Sequence, residues 1–170
     1  RDVAERFVGL AHEFVYRDPF PEEWRREVRR MKARIEAERI PSGEDPDFHL
    51  KLGRGSLSDV EFTAQLLQLQ YDVKATGTLD ALRALADSDV LAADDAVTLA
   101  EAYQYCERVR DRWFLVHSAP GDSLPTQPEQ LLWLSRSLDV SPSTLREDYR
   151  RVTRRARRVV ERVFYGLPGR

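Results

Sequence analysis

Cysteine is almost missing from this sequence. Cys106 stands alone, so no internal disulfide can form, which suits a reducing cytoplasm. Long apolar runs are missing too: none approaches the roughly 20 residues a membrane-spanning helix needs. No signal-peptide pattern opens the chain. It begins with Arg1 rather than Met, which reads as a piece excised from a longer protein. Histidine is scarce. His12, His49 and His117 lie far apart, without the Cys or carboxylate spacing of a structural metal site, so no metal is expected. Neither the phosphate-loop pattern Gly-x-x-x-x-Gly-Lys-Ser/Thr nor the dinucleotide fingerprint Gly-x-Gly-x-x-Gly occurs. Net charge is only −2, where a dedicated nucleic-acid binder is usually strongly basic.

What is present is a foldable, heavily charged chain. Its 170 residues are 42% hydrophobic and 33% charged, enough for a single domain, 1–170, with one sizeable core and a solvated surface. The charges are unevenly spread. Between Ser141 and Gly166 there are eight arginines (Arg146, Arg150, Arg151, Arg154, Arg155, Arg157, Arg158, Arg162) against three acids. Between Thr76 and Glu101 there are six acids and one base, Arg83. Such asymmetry fits two patches that meet each other, a partner, or a nucleic acid.

Apolar spacing is helical nearly throughout. Val3, Phe7, Leu10, Ala11 and Phe14 mark a first helix, stopped by Asp18-Pro19-Phe20-Pro21. Trp24, Val28, Met31 and Ile35 mark a second, from Glu22 to about Arg39, with a basic surface. Pro41 to Asp47 is a linker by composition. Asp45-x-Asp47 resembles a metal-binding carboxylate pair of a nucleotidyltransferase, but the glycine-serine loop and sheet that would carry it are not found. Phe48 to Leu52 alternates and fits a short extended segment, at most a hairpin or ordered loop.

Ser58 to about Asp72 is apolar on several sides, as in a central buried helix. Thr78 is placed as the cap of a short helix, and Ala92 to Val116 as a long one. The stripe of the long helix includes Leu99, Cys106, Val109 and Trp113, which makes Cys106 a core residue rather than a nucleophile. Thr126-x-x-Glu129 reads as a capping box. Ser141-Pro142 starts a last helix whose seam is Leu145, Tyr149, Val152, Ala156, Val159 and Val163. The expected fold is therefore all-α, a bundle of about six or seven helices with one non-helical or hairpin-like insert near 46–57.

The stretch Lys51-Leu52-Gly53-Arg54-Gly55-Ser56-Leu57-Ser58-Asp59-Val60-Glu61-Phe62 joins glycines, charges and a helix start. Ser58-x-x-Glu61 reads as a capping box and Asp59 as a favourable charge in the first turn. The same turn is a potential anion site if its amides point outward, with Lys51 and Arg54 on the approach.

Residues 53–70 resemble the Gly-Gly-x-x-Asp-Ile-Glu-Phe-x-x-Gln signature of the bacterial glutamine synthetase adenylyltransferase/adenylyl-removing family. The likeness continues through Thr78-Leu79-Asp80-Ala81-Leu82, Asp122-x-Leu-Pro-Thr126 and Asp148 to Arg157. Two departures are Ser56 for the second glycine and Ser58 where arginine is common. The resemblance implies a helical regulatory or scaffold domain that follows a nucleotidyltransferase domain absent from this chain. By that resemblance the parent enzyme moves AMP from ATP, with Mg²⁺, to a tyrosine of glutamine synthetase, controls nitrogen assimilation, and answers to the PII signalling protein. This stretch alone is expected to be inactive, with no catalytic residue and no cofactor of its own. Lys51, Arg54, Gly55, Ser58, Asp59 and Glu61 are the candidate interdomain or nucleotide-facing residues. Arg150, Arg151, Arg154, Arg155 and Arg158 are candidates for docking a partner. The alternative reading is a helical module that binds nucleic acid or protein through the basic face of its last helix.

Overall fold

Helix-breaking residues divide the chain into seven helices, shown in a computed structural model that describes residues 2–16, 19–42 and 44–168. They are α1 (Asp2–Val15), α2 (Glu22–Glu38), α3 (Leu57–Tyr71), α4 (Thr78–Asp87), α5 (Ala93–His117), α6 (Pro128–Ser137) and α7 (Pro142–Val163). The all-α expectation holds, and among the described residues there is no named strand. Asp18 and Gly43, which the sequence assigns to a stop and a linker, lie outside the described residues.

Two apolar clusters form the interior. The first joins α3, α4, the first half of α5 and the second half of α7, around Val60, Leu66, Leu82, Leu85, Leu99, Ala156 and Val160. The second joins the rest of α5 to α6, the start of α7 and the insert, around Leu50, Cys106, Val109, Trp113, Leu134, Leu145 and Tyr149. Helix α7 lies along α5 and spans both clusters. Its seam is buried as the spacing predicts, with only Val163 partly exposed. Cys106 is a core residue, and burial pushes its thiol up to about 12.

The insert is an ordered loop. Pro46–Phe48 makes one short 3-10 turn, with Asp45 capping it by accepting from the Asp47 N–H at 2.9 Å. His49 then bridges antiparallel to Ser123. The Leu50 N–H donates to the Asp122 carbonyl at 2.6 Å, and the Leu124 N–H to the Phe48 carbonyl at 3.0 Å. The pairing partner of the insert is thus the loop between α5 and α6. Tyr149 fastens it from beneath by donating to the His49 carbonyl at 3.1 Å.

Helix starts separate into confirmed and corrected. Ser141 caps α7, its hydroxyl accepting from the Thr144 N–H at 3.1 Å, with Pro142 next. The other caps differ from expectation. Gly77, not Thr78, occupies the cap of α4, and Gln127, not Thr126, that of α6, where Pro128 sets the first helical position. Ser58 is not a cap either, because α3 begins at Leu57 with Ser56 before it. The backbone of the insert replaces the side-chain cap. Leu57 N–H donates to the Leu50 carbonyl at 3.3 Å and Ser58 N–H to the Lys51 carbonyl at 2.9 Å.

At the other end of α3, the Gln68 amide donates to the Val73 and Ala75 carbonyls at 3.2 and 2.9 Å, closing the turn toward α4. Removing the side-chain cap of α7 should have a measurable cost. Ser141→Ala is expected to lower unfolding free energy by about 1 kcal/mol in a urea titration, since it strips one orphan N–H of its acceptor. No change would mean that water replaces the cap.

Candidate functional site

Gly55 has φ +78° and lies directly on α7, where an added Cβ would collide with the Thr153 carbonyl. Both the backbone angle and the contact demand glycine. At Gly53 the constraint is contact alone, because a Cβ there would strike the His49 carbonyl and the Tyr149 hydroxyl. The two glycines therefore press the turn flat against the last helix. That close approach places Asp59, at the third position of α3, inside the protein with no exposed surface.

Asp59 is balanced by three elements. Its Oδ2 accepts from the Gly55 N–H at 2.6 Å and from the Arg157 guanidinium at 3.0 Å. Its Oδ1 meets the Lys32 ammonium, which α2 inserts fully buried and which also reaches Glu36. Burial alone would raise the Asp59 carboxyl, but Lys32, Arg157 and the Gly55 N–H together hold it below its ordinary value. Burial would likewise lower Lys32, but the charge and hydrogen bond of Asp59, with Glu36, hold the ammonium above its ordinary range. Arg157 is raised for the same reason: burial is outweighed by Asp59 and Glu161. Asp59 thus takes the acid half of a capping box, reaching back to the turn, a role the sequence pattern assigns to Glu61.

Glu61 has a different setting. Together with Lys51 and Ser58 it lines a cleft of about 420 Å³. The cleft is closed by Ile35 and Arg39 from the end of α2, by Glu44 and His49 from the insert, by Phe62, and by Asp122. Burial raises the Glu61 carboxyl above its ordinary value, against the opposing effects of Lys51, the Tyr103 hydroxyl and Arg110. His49 is buried and its imidazole is held below its ordinary value by burial, despite Glu44 and Asp122 nearby. Its Nδ1 accepts from the Leu52 N–H at 2.9 Å and the Lys51 N–H at 3.2 Å. The proton of the neutral ring is therefore on Nε2, 3.5 Å from Glu44. Glu44 also accepts from Ser123, and Asp122 from Arg110 at 2.5 Å.

The six candidate residues of the turn thus divide. Lys51, Ser58 and Glu61 share the cleft; Arg54 is exposed but does not line it; Gly55 and Asp59 face the interior. The potential anion site of outward amides is not formed, since the Gly55, Ser56, Leu57 and Ser58 N–H groups all donate within the protein. Sequence reasoning missed Arg39, Glu44, His49 and Asp122 as cleft residues. They come together only through pairing of the insert with the loop after α5, for which no local pattern exists.

Of the α7 arginines, Arg157 turns inward to Asp59 and several of the others are committed on the surface. Arg155 pairs with Glu101 at 3.2 Å and Arg162 with Asp95 at 2.5 Å, joining the basic and acidic stretches of the chain. Arg151 pairs with Asp148 at 2.9 Å. Arg150 lies over the Phe48 ring at 4.7 Å, while Arg154 and Arg158 are exposed.

A family model described as GlnD PII-uridylyltransferase matches residues 26–167. The chain belongs to that domain family. Its relatives carry the name that the residue 53–70 signature resembles. It is 43% identical, over 97% of its length, to a bifunctional glutamine synthetase adenylyltransferase/adenylyl-removing enzyme of Streptomyces avermitilis. It is 45% identical over 96% to one of Leifsonia xyli and 40% identical over 97% to one of Mycolicibacterium smegmatis. The chain spans 17% of the length of each of these relatives.

Stability should report the Asp59 cluster. Asp59→Ala leaves the buried Lys32 with Glu36 alone and strips Arg157 of its buried partner, and is expected to cost about 3 kcal/mol by urea titration. Because the folded Asp59 value is depressed, its contribution is complete above the unfolded value near pH ~4 and fades as pH falls through the folded one. Lys32 is raised, so its contribution is complete below about pH 10.4 and fades as pH rises through the folded value. An unfolding curve insensitive to pH at both ends would contradict this arrangement.

Proposed function

We propose that residues 1–170 form a helical domain of a longer glutamine synthetase adenylyltransferase. In this reading the Lys51–Ser58–Glu61 cleft faces the nucleotidyltransferase domain of the same protein. The observation that carries it is the division of the signature turn: Asp59 holds the fold from within, and the same turn delivers Lys51 and Glu61 to one open cleft. A purely structural turn has no need of the second half. The names of the relatives, high in identity over nearly the whole chain, support the activity.

The longer enzyme transfers AMP from ATP to a tyrosine of glutamine synthetase, in the cytoplasm, under control of PII. Lys51 supplies a cation beside the nucleotide phosphates, with Arg54 at the rim. Glu61, its carboxyl raised by burial, can accept or return a proton there. Among the described residues no three His, Cys, Asp or Glu side chains converge as a metal cluster. In this reading Mg²⁺ is held by the nucleotidyltransferase domain of the longer enzyme. The exposed Arg150, Arg151, Arg154, Arg155 and Arg158 face is the surface offered to a protein partner. Arg151, Arg155, Arg157 and Arg162 are paired within the protein, so on this face Arg154 and Arg158 are the exposed cations left to meet an acidic protein surface.

In the intact enzyme, Lys51→Ala and Glu61→Gln are expected each to lower AMP transfer to glutamine synthetase by about tenfold or more, with an unchanged melting temperature. Arg54→Ala should have a smaller effect. Unaltered transfer by both cleft variants, with folded protein, would contradict a cleft that faces the reacting nucleotide. Asp59 variants do not address the question, because they unfold the turn.

A further inference from the structure

Helix α1 buries none of its residues, yet it is strongly amphipathic. Val3, Phe7, Leu10 and Phe14 step by four, three and four along one face and are 79%, 71%, 57% and 73% exposed. Among the described residues no comparable stripe is left bare elsewhere; the seam of α7, with the same spacing, is buried. A helix of 14 residues is marginal in water without a packed face. Just past its end, the Lys74 ammonium sits over the Tyr16 ring at 5.6 Å.

The comparisons separate α1 from the domain behind it. The family model begins at residue 26 and leaves α1 out. The match to the Streptomyces avermitilis relative takes in 97% of the chain, too much to omit α1, and is 17% of that relative's length. Helix α1 thus lies outside the shared domain unit but inside the stretch held in common with proteins several times longer.

We propose that the Val3–Phe7–Leu10–Phe14 stripe is an interdomain docking surface, seated in an apolar groove of the same polypeptide outside residues 1–170. The mode is a helix in a groove, with anchors at i, i+4, i+7 and i+11. This rests on the longer-protein reading above. Docking would hold the nucleotidyltransferase domain near the Lys51–Glu61 cleft, because α1 precedes α2 in the chain and α2 carries Lys32 to Asp59.

The test is limited proteolysis of the intact enzyme, comparing wild type with Phe7→Glu/Phe14→Glu and with Phe7→Leu/Phe14→Leu, alongside sedimentation velocity. The charged variant should be cut in the 16–21 connection about tenfold faster, while the leucine variant behaves as wild type and the sedimenting mass is unchanged. Should the charged variant fail to fold, Phe7→Ala/Phe14→Ala is read in the same way. Cleavage at the wild-type rate overturns the proposal. So does a wild-type dimer that the charged variant splits, since the stripe would then belong to a second copy. AMP transfer is measured separately on the cleft variants, so this inference can fail while the adenylyltransferase reading stands.

Discussion

A carboxylate with no access to water has to find its charge balance within the protein, and Asp59 finds it on three separate elements. Lys32 comes from α2, Arg157 from α7, and an N–H from the glycine turn. Such a cluster is costly to assemble, because each ion gives up its hydration; its worth lies in what is lost when one member goes. Here it fixes direction. Helix α2 offers the bundle few buried side chains, and the fully buried one is Lys32. Arg29 adds a second polar latch, donating to the Phe164 carbonyl at 2.6 Å. The second helix is thus located by charge more than by apolar area, and its location forms one wall of the cleft.

The chemistry of the cleft follows from that placement. Because Asp59 is turned inward, the next acid along α3, Glu61, falls on another face. It stands in a half-buried setting that raises its carboxyl, with Lys51 close enough to oppose the shift. Two carboxylates two residues apart therefore have opposite displacements, one depressed by cations and one raised by burial. The first belongs to the fold. The second stands in the open cleft, beside Lys51 and Ser58.

Much of this fold was legible in the sequence. The 3.6-residue period of α7 and the Cys106 stripe of α5 are strong because both helices run through the two apolar clusters and carry their seams into them. The turn after the linker was legible as a special place, through its glycines. What could not be read was the direction of each side chain there. Ser58-x-x-Glu61 matches a capping box, yet the insert's own carbonyls satisfy the first amides, so the helix starts two residues earlier and the box dissolves. Likewise, nothing local announces that Glu44 and Asp122, 78 positions apart, would line one cleft. Their meeting depends on the antiparallel contact of His49 with Ser123, a long-range pairing with only one bridge to its name. The arginines of α7 were visible as a group, but the split between those that close on Glu101 and Asp95 and those left exposed needed the packing of α7 on α5.

The central claim is that the Asp59 charge cluster, rather than the glycine turn alone, holds the cleft wall in place. Native-state hydrogen exchange on Asp59→Asn tests it most directly, since the amide keeps the shape and removes the charge. The account predicts that protection of the Gly55, Leu57 and Ser58 amides falls by about tenfold or more, while the amides of α4 and α5 keep theirs. Unchanged protection across the turn would contradict it, and would assign the wall to the glycine contacts with α7.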